Sequence, residues 1–141
     1  MKAFTYSLEK VLRLRKYYED EAKIELGKAV GVLADLEHRI FATAEEIGRA
    51  QAAQFNPENT AGDMQQYMFY LLRLDCNKEQ LLKEAAFAEI KVDEARDVFI
   101  EASRERKVLD NLKEKRFKEY RKTALAEETK TLDDVSMSRI K

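Results

Sequence analysis

Residues 55–62 run Phe55-Asn56-Pro57-Glu58-Asn59-Thr60-Ala61-Gly62, the only stretch of the chain that combines proline, asparagine and glycine. Pro57 disfavours helical geometry at Asn56, so the chain is expected to turn here. Upstream, a helix is expected over about 7–54, with Ser7 as its cap and Glu9 favourable in its first turn. Downstream, Thr60 and Asp63 have the spacing of a capping box, and no helix breaker follows until beyond residue 128. A second helix is therefore expected over about 63–128, with a flexible tail at 129–141.

The second helix carries the clearer period. Alternate steps of three and four from Met64 give Met64, Tyr67, Leu71, Leu74, Lys78, Leu81, Ala85, Ala88, Val92, Ala95, Phe99, Ala102, Arg106 and Leu109, all apolar except Lys78 and Arg106. A seven-residue repeat sustained over this length needs a partner helix. In the first helix the seam is expected at Phe4, Leu8, Val11, Arg15, Tyr18 and Ala22, then Leu26, Ala29, Leu33, Leu36, Ile40, Thr43 and Ile47. Two successive steps of four, from Tyr18 through Ala22 to Leu26, break the repeat beside Gly27 and Gly31. Each of those glycines costs a helix interior about 1 kcal/mol relative to alanine. They are expected to give softened helix, with the second helix passing close over the small residues.

Because the joining loop is short, the expected fold is all-α: two long helices closed as an antiparallel coiled-coil hairpin, a single domain over 1–141. Its core is expected at Leu8, Val11, Leu26, Leu33, Leu36, Ile40, Leu71, Leu81, Val92, Phe99 and Leu109. Residue numbers facing one another should sum to about 117, which leaves residues 110–128 projecting past the first helix.

Composition agrees with long helices rather than with a packed globule. Charged residues make up 38% of the chain, and there are four glycines, one proline and no tryptophan. Cys76 is the lone cysteine, which excludes an internal disulfide framework and suggests a reducing compartment. No run of about 18 apolar residues is present and the N-terminal residues lack a secretory pattern, so a soluble cytoplasmic chain is expected.

Charge is segregated. Residues 1–16 carry net +4 and residues 104–122 net +5, whereas residues 17–63 carry net −6. In an antiparallel hairpin both positive segments fall at the end with the termini. Arg104, Arg106, Lys107, Lys113, Lys115, Arg116, Lys118, Arg121 and Lys122 are interleaved with four acidic residues, which weakens a phosphate track and favours an acidic or ring-shaped protein partner. Near the turn, Phe41, Phe55, Met64, Tyr67, Met68, Phe69 and Tyr70 exceed what one seam buries. They either plug the loop end or form an exposed binding surface.

Catalytic motifs are absent. There is no Gly-rich phosphate loop and no Cys-x-x-Cys, and the one histidine, His38, sits between Glu37 and Arg39 as a solvated residue. Neighbouring carboxylates such as Glu45 and Glu46 do not face one another on a helix. No enzyme activity, metal or cofactor is expected.

Phe4, Leu8, Val11, Leu12, Arg15, Glu21, Ala22 and Leu26 resemble the F-x-x-x-L-x-x-V-L-x-x-R opening of the flagellar export protein FliJ family. Arg104-Glu105-Arg106-Lys107-Val108-Leu109, Leu112, Lys115-Arg116, Glu119-Tyr120 and Leu132-Asp133-Asp134 with Arg139 resemble that family's later blocks, in order. The resemblance implies a non-enzymatic coiled-coil stalk of the flagellar type III export apparatus, cytoplasmic and peripheral to the inner membrane. Its implied partners are the export ATPase FliI, the export gate FlhA and export chaperones, with no nucleic acid and no membrane insertion. It also implies an ATPase-ring contact at Arg104, Lys107, Arg116 and Tyr120, and an export-gate contact at Phe41, Tyr67, Tyr70 and Leu74. A stand-alone coiled-coil chaperone or structural adaptor, and a nucleic-acid-binding rod, are the alternative readings.

Overall fold

The computed structural model describes residues 2–140; Met1 and Lys141, which the expected single domain and tail included, lie outside them. Two helices follow in order, α1 (Glu9–Gln54, 46 residues) and α2 (Ala61–Ile140, 80 residues). No strand occurs among the described residues. The fold is all-α, an antiparallel pairing of two long helices.

Side chains around Pro57 finish one helix and start the next. Asn59 Nδ2 donates to Ala53 O at 2.6 Å and to Gln54 O at 3.3 Å, so its amide satisfies carbonyls that α1 leaves without partners at its end. Asn56 Oδ1 accepts from Glu58 N at 3.1 Å, an Asx turn. Thr60 and Asp63 form the capping box: Asp63 N donates to Thr60 Oγ1 at 3.2 Å and Thr60 N to Asp63 Oδ2 at 3.0 Å. At the start of α1 the expected cap is not used. Leu8 O accepts the bond from Leu12 N, and Ser7 Oγ accepts from Arg116 Nη1 at 3.0 Å instead.

The chain divides into two compact units, Met1–Glu21 with Ile100–Lys141, and Ala22–Phe99. In the second unit Leu36, Leu81 and Ala88 are buried together, with Leu33, Ile40 and Ala85 packed against them. Burying one such leucine stabilises by about 1.5–3 kcal/mol, so this apolar run carries the pairing. Val92 is also buried, Leu26, Leu71 and Phe99 are partly buried, and Tyr70 and Glu46, whose numbers sum to 116, are hydrogen-bonded across the seam.

The first unit is built differently. Leu12 is its fully buried residue, whereas Val11 is 40% exposed and Tyr18 is also exposed. Leu8 and Leu109 are partly buried, as are Arg15 and Glu19. The sheltered positions of α1 are therefore Leu8, Leu12, Arg15, Glu19, Ala22 and Leu26, steps of four and three without interruption. The expected break in the repeat does not exist, and Val11 is not a core residue. Following the apolar side chains placed Tyr18 in the seam, but the seam holds Glu19 because Arg106 of α2 lies in it and pairs with Glu19.

Two further expectations are corrected. A Cβ added at Gly27 or Gly31 would meet nothing within 4 Å, so α2 does not approach over these glycines. Gly27 lies one residue from the sheltered Leu26 and Gly31 two from Ala29 and Leu33, and both are exposed on the open side of α1. Secondly, α2 continues through residues 129–140 rather than ending near 128. That stretch holds no glycine or proline, and Thr131 Oγ1 and Ser138 Oγ bond back to Glu127 O and Val135 O.

Candidate interaction surfaces

Residues 2–8 precede α1 without helical structure and lie along α2 between Leu109 and Tyr120. Extended chain advances about 3.3 Å per residue against 1.5 Å in a helix, so the five residues 2–6, before the turn at Ser7 and Leu8, can cover more than two turns of α2. Tyr6 is buried and its hydroxyl donates to Leu109 O at 3.2 Å. Phe4 packs edge-on against Phe117 with centroids 5.2 Å apart, and lies 5.4 Å from Tyr120. Tyr120 donates its hydroxyl to Lys2 O at 2.7 Å, and the Arg116 guanidinium lies over the Tyr6 ring at 5.6 Å. The expected unpartnered stretch 110–128 is thus covered as far as Tyr120, and α2 lacks such cover only beyond it.

Ion pairs join the two helices in this unit. Arg15 meets Glu105 at 2.5 Å, Lys113 meets Glu9 at 2.8 Å, and Arg106 pairs with both Glu19 and Asp110. Lys113 holds the Glu9 carboxyl below its ordinary range, chiefly through the hydrogen bond it donates. Basic side chains not drawn into the seam remain on the outer side of α2. Arg104, Lys107, Lys115, Lys118 and Lys122 are exposed and recur at three- and four-residue multiples. Arg104 has only a 3.5 Å pair with Glu101 and Lys118 a 3.5 Å pair with Glu114, contacts that hold neither cation firmly.

Of the four residues singled out for a ring contact, Arg104 and Lys107 are therefore exposed on this basic face, Arg104 with only its loose pair to Glu101. Arg116 and Tyr120 are engaged by the N-terminal segment.

In the second unit Tyr67 and Tyr70 line one shallow concavity with Asn59, Asp63, Gln66, Phe69 and Arg73. Leu74 is a half-buried seam residue and Phe41 lies exposed beside the seam; neither lines it. Tyr70 donates to Glu46 Oε1 at 2.9 Å while Arg49 meets Glu46 Oε2 at 2.9 Å. These two hydrogen bonds, Tyr70's the larger, depress the Glu46 carboxyl, and the same bond raises the Tyr70 hydroxyl. The Arg73 guanidinium lies 5.8 Å from the Tyr70 ring centre. Phe55, Met68, Phe69 and Leu72 stay exposed instead of plugging the loop end. Glu46 reads in the sequence only as one of two neighbouring carboxylates, and neither Arg49 nor Arg73 is singled out there, although a register of 117 places residue 46 one position from Tyr70.

No group of three or more histidine, cysteine or acidic residues is placed to hold a metal among the described residues. The sequence matches the family described as "Flagellar FliJ protein" over residues 4–141. The chain belongs to the FliJ family. No curated protein and no solved structure matches it.

FliJ membership together with the two-helix hairpin makes the chain a non-enzymatic coiled-coil stalk component of flagellar type III protein export. It is cytoplasmic and peripheral to the membrane, as FliJ proteins are, and works with other parts of the export apparatus. None of its described helices is long and apolar enough to cross a membrane.

Proposed function

We propose that this FliJ protein couples the export ATPase ring, FliI, to the export gate, FlhA, and also contacts export chaperones. The ring is met by the first unit through Arg104, Lys107, Arg116 and Tyr120, and the gate by the second unit through Phe41, Tyr67, Tyr70 and Leu74. The supporting observation is the outer face of α2, where Arg104 and Lys107 continue into Lys115, Lys118 and Lys122 with no firm intramolecular partner. Desolvating such loosely held cations is worthwhile only against complementary charge, which also speeds and orients encounter. For the gate, the exposed Phe69 and the half-buried Tyr67 and Tyr70 supply the aromatic surface that protein interfaces favour.

Charge reversal tests the ring half. R104E/K107E should weaken association with purified ATPase by at least about tenfold, roughly 1.4 kcal/mol. It should leave gate binding intact, and Y70A should do the converse. Unchanged ATPase association for R104E/K107E would remove the ring assignment.

A further inference from the structure

We infer that residues 2–7 are an intramolecular cover over the ring-facing surface of α2, and that the ring protein displaces them when it binds. The inference rests on the ring-contact reading above and adds a competing occupant to it. Two of the four ring-contact residues are already engaged: Tyr120 donates its hydroxyl to Lys2 O, and Arg116 bonds Ser7 and covers the Tyr6 ring. Phe117 packs against Phe4. Aromatic and arginine side chains are those on which protein interfaces most often depend, and here they serve an internal contact.

The cover is fastened through side chains rather than by backbone pairing. Residues 2–5 make no backbone–backbone hydrogen bond among the described residues, and Lys2, Ala3, Thr5 and Ser7 are exposed. Phe4 and Tyr6 are its apolar anchors. A segment held through side chains, without backbone pairing to the helix, opens locally without unfolding the helices beneath it. While it is closed, Arg116 and Phe117 are exposed on one side but held on the other by Ser7, Tyr6 and Phe4, and Tyr120 is partly buried; opening frees all three for a ring protein that already meets Arg104, Lys107 and the outer lysines. A partner that binds only the open form has its apparent affinity reduced by the fraction open. With the open form at about a tenth of the population, the reduction is about tenfold.

The test compares full-length wild type, F4A and a chain lacking residues 2–7 for affinity to the purified ring ATPase. F4A removes the contacts with Phe117 and Tyr120 without altering either helix, so it remains informative if the deletion perturbs folding. Both variants should bind about tenfold more tightly than wild type. A second readout uses F4W, the sole tryptophan in a chain that has none. After subtraction of the ATPase alone, its emission should shift to the red on binding. Equal affinities of wild type and F4A, or an unshifted emission in a complex that has formed, would overturn the cover while leaving the ring contact standing. No binding by any form overturns the ring reading and the cover with it.

Discussion

Arg106 of α2 and Glu19 of α1 are paired through the guanidinium Nε across the seam between the two helices. Their side chains are 24% and 18% exposed, and Asp110 takes a second guanidinium nitrogen. Truncating one partner leaves the other charge sheltered and unpaired. Losses of 3–5 kcal/mol are usual for fully buried pairs, so R106A should cost about 2 kcal/mol at this quarter-exposed site. E19L/R106L removes both charges and keeps seam volume, and should be as stable as wild type or more so. Urea denaturation of E19L, R106L and the double variant measures the coupling. A double variant less stable than R106A would mean that the pair does not act across the seam.

Leu12 and Val11 separate the observed seam from the one expected from apolar spacing. Leu12 is fully buried and Val11 is 40% exposed. L12A should cost about 2–4 kcal/mol through lost burial and the cavity left behind, and V11A about 0.5 kcal/mol or less. Equal losses in urea titrations would show that the first unit pairs in the other register.

The seam of α2 was legible because its apolar period is nearly unbroken from Tyr67 to Leu109, where position and shelter coincide; Met64, expected to start it, is 40% exposed. The start of α1 was not legible, because hydrophobicity favours Tyr18 over Glu19 until the charge opposite is known. Arg106 was visible as a polar seam position, but its partner depends on a register finer than a sum of 117 gives. The capping box at Thr60 needed only local spacing and was correct. The cap at Ser7 failed because a distant residue, Arg116, takes its hydroxyl, which no local rule reports.

The interaction surfaces were legible in charge but not in occupancy. Clustering of Lys and Arg over 104–122 follows from the sequence alone. That Arg116 and Tyr120 are engaged by residues 2–7 does not, because the contact joins positions more than 100 residues apart through a segment without periodicity. Asn59 likewise reads as a loop residue until its amide is seen closing the end of α1.

Acid should weaken the second unit at a defined site. The Glu46 carboxyl lies below its ordinary value of 4.5, held there by Tyr70 and then Arg49. A group depressed on folding contributes stability that is complete above its unfolded pKa and is lost as pH falls through the folded one. The gap in melting temperature between wild type and E46Q should therefore be constant at neutral pH and shrink below about pH 4.5. Tyr70 behaves oppositely: its hydroxyl is raised above 10.0, so its contribution is present below that pH and fades as alkali ionises it. A gap that persists unchanged at pH 3 would show that Glu46 is not held by these hydrogen bonds.

Gly27 and Gly31 give the sharpest contrast between the open helix face observed and the close helix approach that their spacing suggests. Both lie inside α1, neither has a positive φ, and an added Cβ meets nothing within 4 Å at either position. Alanine restricts the unfolded chain and suits the helix, so each substitution should stabilise by about 0.5–1 kcal/mol. The two sites are one turn apart on a face that α2 does not cover, so their effects should add, giving G27A/G31A a gain of about 1–2 kcal/mol. Had α2 passed over these glycines, two methyl groups would instead force the helices apart and lower stability, as overpacking does. Thermal and urea denaturation of G27A, G31A and the double variant discriminate by sign. A fall in stability for either single variant would place a neighbour over that glycine and contradict the open face.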